Sequence, residues 1–118
     1  MVATAYVPDT GDLVKLDFSK GQAGHEQAGW RPALVLSPRG YNGKAGLAVV
    51  VPVTNSIKKY PFEVDLPAGL KIGGTILSDA VRSVDWHQRS ARYFDKAPAE
   101  VIQAVRAKLA ALLGLLAP

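Results

Sequence analysis

A small, strongly bent β-sheet or barrel covered by one terminal α-helix is the fold class that the sequence predicts. Three observations predict it. Short alternating or β-branched runs recur along most of the chain, separated by breaks rich in Gly, Pro and Asn. The stretch that opens at Pro98 carries apolar residues at helical spacing instead. Finally, 118 residues with 48% hydrophobic content suffice for one core, so residues 1–118 read as one domain without internal repeats.

The elements follow in order. In Gly11–Phe18, Val14, Leu16 and Phe18 alternate with Lys15 and Asp17, the period-two signature of a half-buried strand. Ser19–Trp30 is mostly polar and holds three glycines, a loop long enough to imply a functional reason. Arg31–Ser37 is a second strand with Pro32 tolerated near its start. Pro38–Gly46, with its Asn42-Gly43 pair, reads as a turn. Leu47–Thr54 is a nearly continuous apolar run, hence a central strand buried on both faces, and Pro52 marks a bulge or an unpaired strand end. Asn55–Tyr60 is a basic loop, Pro61–Leu66 alternates as a strand, and Pro67–Gly74 turns. Thr75–Leu77 and Val81–Trp86 add two short strands. In the closing helix Pro98 suits the first helical position, Glu100 the first turn and Gly114 the stop. Val101, Ile102, Val105, Leu109, Leu112 and Leu113 form its apolar face.

Composition narrows the function. There are no cysteines and only two histidines, His25 and His87, without metal-ligand spacing, so no metal or cofactor is expected. No nucleophile elbow, Walker loop or dinucleotide fingerprint occurs. No run reaches membrane-spanning length and no leader pattern opens the chain, which points to the cytoplasm and away from the membrane. A net charge of +4 and a pI of about 9.5 suit a polyanionic partner, either nucleic acid or an acidic protein segment.

The segment Gly24–Pro32 places an imidazole, a carboxylate, an amide and a guanidinium in a polar loop that runs into a buried strand. General acid–base groups beside an arginine suit metal-free RNA cleavage, in which the ribose 2′-hydroxyl is the nucleophile. Arg31 then holds phosphate oxygens, Thr54 donates a hydroxyl hydrogen bond, and Glu26 or His25 moves protons. Plainer readings stand beside these: an Arg31–Glu26 ion pair, a solvated His25, a strand-end Thr54. Lys58, Lys59, Arg89 and Arg92 read as solvated charge, and Trp30 and Trp86 as packing residues, although an exposed Trp30 stacks well on a base.

Gly11-Asp12-Leu13-Val14 and Gly24-His25-Glu26-Gln27-Ala28-Gly29-Trp30-Arg31-Pro32-Ala33-Leu34-Val35-Leu36-Ser37-Pro38 together resemble the MazF/PemK family of toxin endoribonucleases. Tyr41-Asn42, Val51-Pro52-Val53-Thr54, Tyr60-Pro61-Phe62-Glu63-Val64 and Leu77–Val84 continue in the family's order. The resemblance implies an SH3-like barrel of the CcdB/PemK type that acts as a homodimer. It further implies metal-independent, sequence-selective cleavage of single-stranded RNA, often mRNA, to 2′,3′-cyclic phosphate and 5′-hydroxyl ends. The implied protein partner is a cognate, MazE-like antitoxin with a flexible acidic segment. Arg31 and Thr54 match the family's catalytic pair, and Glu26 the acidic residue of the same loop. His25 and Asp79 resemble residues used in the PemK branch, where an arginine stands in place of Leu77. Gln27, Trp30, Asn55, Lys58, Lys59 and Arg82 are the expected RNA contacts, with Ser19–Gly24 and Ser56–Tyr60 the segments expected to read bases.

The alternative from another class is a CcdB-like, non-enzymatic inhibitor of DNA gyrase. Such toxins end in a Trp-Gly-Ile type of signature, whereas this chain ends Gly114-Leu115-Leu116-Ala117-Pro118. A family member that only binds RNA or antitoxin is a third reading, against which Arg31 and Thr54 together argue.

Overall fold

The computed structural model describes residues 6–19, 29–56 and 59–115. In chain order these form β1 (Asp12–Asp17), β2 (Trp30–Val35), α1 (Arg39–Ala45), β3 (Ala48–Thr54), β4 (Glu63–Asp65), β5 (Thr75–Leu77), β6 (Arg82–Val84), β7 (Arg92–Lys96) and α2 (Ala99–Leu113). The strands make one antiparallel sheet in the order β4-β5-β3-β2-β1-β7, with β6 joined to β3 outside that path. β3 is the hub. It pairs with β2 through Val50–Pro52, with β6 through Ala48–Val50, and with β5 through Val53 and Thr54.

Strand alternation sends successive side chains to opposite faces, and both faces are covered. On one, Leu13, Leu34, Val51, Val53 and Ile76 pack with Val101 and Val105 of α2. On the other, Val14, Leu16, Ala33, Val35, Ala48 and Val50 pack with Val84 and Trp86. This is why Leu47–Thr54 reads as doubly buried. Gly11 lets α2 sit close to the sheet: its φ is +90°, and a Cβ there would meet Ile102 Cδ1 at 2.7 Å.

Several expectations change. Pro38–Gly46 is not a turn but carries the seven-residue helix α1, closed by Gly46 in the left-handed conformation with φ +73°. Its Asn42 is fully buried and donates through Nδ2 to the carbonyls of Pro8 and Ser37. Pro52 makes no bulge; it is the residue at which pairing with β2 ends. The irregularity lies instead in β1 opposite β7, between Leu13 and Val14. β7 is an additional strand, whose Arg92, Tyr93 and Lys96 hide the alternation because they are exposed. Pro98 is the residue before α2 and not its first residue, while Gly114 is the stop, with φ +69°. Of the expected apolar face, Val101 and Val105 are buried and Ile102 and Leu109 pack partly, but Leu112 and Leu113 are exposed. Among the described residues no helix is long and apolar enough to cross a membrane.

Candidate active site

On the sheet face that carries Leu16, Ala33, Val50 and Val84 lies an open cavity of about 460 Å³. Its floor is formed by those four residues with Pro32, Pro52 and Ala80; its cations are Arg31, Arg82 and Arg89, and Phe18 stands among them. The guanidinium carbons of Arg89, Arg82 and Arg31 lie 4.2, 5.4 and 6.0 Å from the Phe18 ring centroid. The negative face of an aromatic ring attracts cations, by about 0.5–1 kcal/mol at an exposed site. One ring therefore gathers three positive charges at the edge of an apolar floor.

Local backbone explains the gathering. Phe18 follows β1 and donates its N–H to the Gly29 carbonyl at 2.8 Å, which sets it beside the start of β2. Asp17 N–H donates to the Arg89 carbonyl at 2.8 Å, so the turn after β6 is pinned to the end of β1. Arg31 stands opposite Leu16, and Arg82 opposite Val50, in continuous ladders. β2 changes along its length from exposed at Trp30 and Arg31 to buried at Ala33–Val35. A strand rooted in the core thus presents its polar end to solvent.

Thr54, the last residue of β3, is half-buried and pairs with Thr75. Its Oγ1 accepts the Ser56 N–H at 3.0 Å. Ala33 pairs with Pro52, so Arg31 and Thr54 each stand two residues beyond that pair, toward the same end of the sheet and on the same face. Gly74 makes the close approach behind Thr54 possible: its φ is +125°, and a Cβ there would meet the Thr54 carbonyl oxygen at 2.6 Å. Thr54 does not line the cavity itself.

Asp79 is exposed and accepts the Tyr60 phenol at 2.6 Å. That hydrogen bond is the largest cause pushing the Tyr60 phenol up to about 12, with desolvation and the Asp79 and Glu63 charges adding to it. Of the expected RNA contacts, Arg82 lines the cavity. Asn55 and Lys59 are exposed in the loop after β3, and Lys59 takes a left-handed φ of +57° while its N–H donates to Glu63 Oε1. Trp30 is 43% exposed, adjacent to Arg31 and so on the opposite face, where the Arg92 guanidinium lies 4.7 Å from its ring. His25, Glu26, Gln27 and Lys58 lie outside the described residues. Two cavity residues were not anticipated as functional. Phe18 shares the alternation of Val14 and Leu16, which marks its face, but Arg89 sits in a turn where no periodicity operates.

The family described as "PemK-like, MazF-like toxin of type II toxin-antitoxin system" matches residues 9–113. The chain is 44% identical over 113 residues to the endoribonuclease toxin MazF of Escherichia coli strain K12, covering 96% of this chain and all of that one. It is 34% identical over 105 residues to the endoribonuclease PemK of E. coli, covering 86% of this chain and 77% of that one. Among solved structures, MazF (Form-I) from Deinococcus radiodurans has a TM-score of 0.83 at 56% identity, covering 93% of this chain and 99% of that one. A MazE-MazF crystal structure (Form-III) from the same organism gives 0.86 at 54%, covering 92% and 98%.

Proposed function

Because the chain belongs to the PemK-like, MazF-like family of type II toxins, we propose that its arginine-rimmed cavity is the groove in which it cuts single-stranded RNA. The chain is an endoribonuclease toxin of MazF type, as its relatives are named, and not a gyrase inhibitor of the CcdB class. The observation that carries the assignment of the groove is the convergence of Arg31, Arg82 and Arg89 on Phe18 above an apolar floor. Cations at the rim take phosphates, and the floor takes an unstacked base.

The cleavage step uses no metal. The 2′-hydroxyl oxygen attacks the adjacent phosphorus, its proton passes to a base, and the bond from phosphorus to the 5′-oxygen breaks. A proton delivered to that oxygen completes a 5′-hydroxyl, leaving a 2′,3′-cyclic phosphate. Arg31 neutralises the charge that builds on the phosphorane oxygens, where a placed donor acts most strongly. Thr54 donates from its hydroxyl, since Oγ1 uses only a lone pair toward Ser56. Glu26 and His25 are the candidates for base and acid.

Residues 1–118 act as one toxin domain, in the cytoplasm, as a homodimer. A MazE-like antitoxin lays an acidic flexible segment over the same cationic rim; solved MazE-MazF complexes from D. radiodurans support that partner. Incubating the pure protein with a long single-stranded RNA in excess EDTA tests the reading, with the cut ends mapped by primer extension. Discrete cuts bearing 5′-hydroxyl ends are expected. RNA left whole overturns it, and a gyrase-dependent DNA break in place of RNA cleavage returns the CcdB alternative.

A further inference from the structure

Tyr60, which precedes β4, and the turn between β5 and β6 come from different parts of the chain, and they are joined. The turn carries Ala80 and leads into Arg82 at the start of β6, and both residues line the cavity. Across the gap, the Tyr60 phenol donates to Asp79 Oδ1 at 2.6 Å, and Ser78 N–H donates to the Phe62 carbonyl at 3.0 Å. We propose that Asp79 is a positioning residue, whose carboxylate holds Tyr60 and thereby fixes the turn that leads from β5 into Arg82 of the cavity. This rests on the ribonuclease reading of the cavity and reassigns one residue expected to take part in the chemistry.

The phenol is anchored on its own side as well. Glu63 N–H donates to the Tyr60 carbonyl at 3.1 Å, Lys59 N–H to Glu63 Oε1 at 2.8 Å, and Lys108 Nζ to the Pro61 carbonyl at 2.5 Å. Tyr60 therefore reaches Asp79 from a braced backbone, and a hydrogen bond from a braced donor to a charged acceptor is stronger than one between mobile groups. The raised phenol keeps its proton throughout the neutral range, so the tie persists wherever RNA is handled. Asp79 Oδ1 is taken up by the phenol, and Asp79 does not line the cavity. Proton transfer stays with groups that face the reacting phosphate.

The test is steady-state cleavage of a short RNA spanning one mapped site, compared across four variants at temperatures well below each melting point. Tyr60→Phe and Asp79→Ala each remove the tie and raise KM about fivefold with kcat within about twofold. Combining them is no worse than either alone, since both delete one interaction. Asp79→Asn keeps an acceptor oxygen and returns KM to within about twofold of wild type. The pH profile of kcat stays unmoved in all four. A collapse of kcat in Asp79→Asn, or a displaced limb of that profile, overturns the proposal and makes Asp79 a proton-transfer group. Unaltered KM in Tyr60→Phe overturns it as well, leaving the bond without functional consequence. Wild-type protein that leaves RNA whole sinks the ribonuclease reading itself, and this proposal with it. Cleavage by wild type and by Tyr60→Phe with equal KM sinks the proposal alone.

Discussion

The Arg89 guanidinium carbon stands 4.2 Å from the centroid of the Phe18 ring, and the Arg89 carbonyl accepts the N–H of Asp17, the residue before Phe18. Ring and cation are thus held together twice, once through side chains and once through backbone. Arg89→Ala leaves the backbone bond and removes one charge from the rim. We expect weaker binding of RNA of every sequence, and a dependence of log Kd on log salt flatter by about 0.7, the yield of one phosphate contact on a single strand. Fluorescence anisotropy with a 2′-O-methyl RNA, which blocks cleavage, reads this directly. Arg92→Ala, on Trp30 at the opposite face, is the comparison, and its slope should match wild type. An unchanged slope in Arg89→Ala would place that arginine outside the RNA path.

Arg31 and Thr54 share a face two residues beyond the Ala33–Pro52 pair, and their substitutions should differ in size. Losing a placed cation from a developing oxyanion typically costs on the order of a hundredfold in rate. Arg31→Ala is therefore expected to lose about that much or more, while circular dichroism shows an unaltered fold. Thr54→Val loses a neutral donor and should fall about tenfold. Thr54→Ser keeps the hydroxyl, including its bond to Ser56 N–H, and should recover most of the rate. Equal rates for Thr54→Val and wild type would reduce Thr54 to a strand-end residue.

What the chain's own pattern revealed follows from which forces act locally. Period two exposed β1, because Val14 and Leu16 face one core and Lys15 does not. The nearly all-apolar β3 is legible because it is buried on both faces. Helix α2 was legible from Pro98 to Gly114, but exposed Leu112 and Leu113 cannot be told from buried leucines by spacing alone. Asn42-Gly43 reads as a turn because the dipeptide is a common turn signal, and the partners that hold Asn42 inside a helix, Pro8 and Ser37, lie outside α1. The site divides in the same way. Arg31 stood out beside a buried strand, whereas Arg89 reaches Phe18 only through tertiary folding.

Tyr60 offers a titration that reports its bond to Asp79. The folded chain holds the phenol proton above the ordinary 10.0, to about 12. Its contribution to stability is therefore fully present below pH 10 and is lost as the pH rises toward 12. Phenolate absorbance of wild type minus Tyr60→Phe should titrate in that window. In Asp79→Ala the same difference should move back toward 10, because the largest cause of the shift is gone. A Tyr60 that titrates identically with and without Asp79 would contradict the hydrogen bond.

Asn42 is the sharpest test of the fold. It is fully buried, its Oδ1 accepts the Ser37 hydroxyl at 2.6 Å, and its Nδ2 donates to the Pro8 and Ser37 carbonyls at 2.8 and 3.0 Å. Its own carbonyl accepts the Trp86 indole N–H at 2.9 Å, a bond that substitution of the side chain leaves in place. Asn42→Ala strands two carbonyls and the Ser37 hydroxyl proton, whose oxygen still accepts the Val49 N–H, and an unsatisfied buried group typically costs about 1–3 kcal/mol. Allowing for partial rearrangement, we expect a loss of about 2–4 kcal/mol, read as a lower urea midpoint at unchanged slope. Asn42→Asp keeps the shape but turns an acceptor oxygen toward two carbonyls, so it should be at least as damaging. Lys44→Ala, exposed near the end of α1, should stay within about 0.5 kcal/mol. If Asn42→Ala melts with wild type, water satisfies the three stranded groups and α1 is held by the Trp86 bond instead.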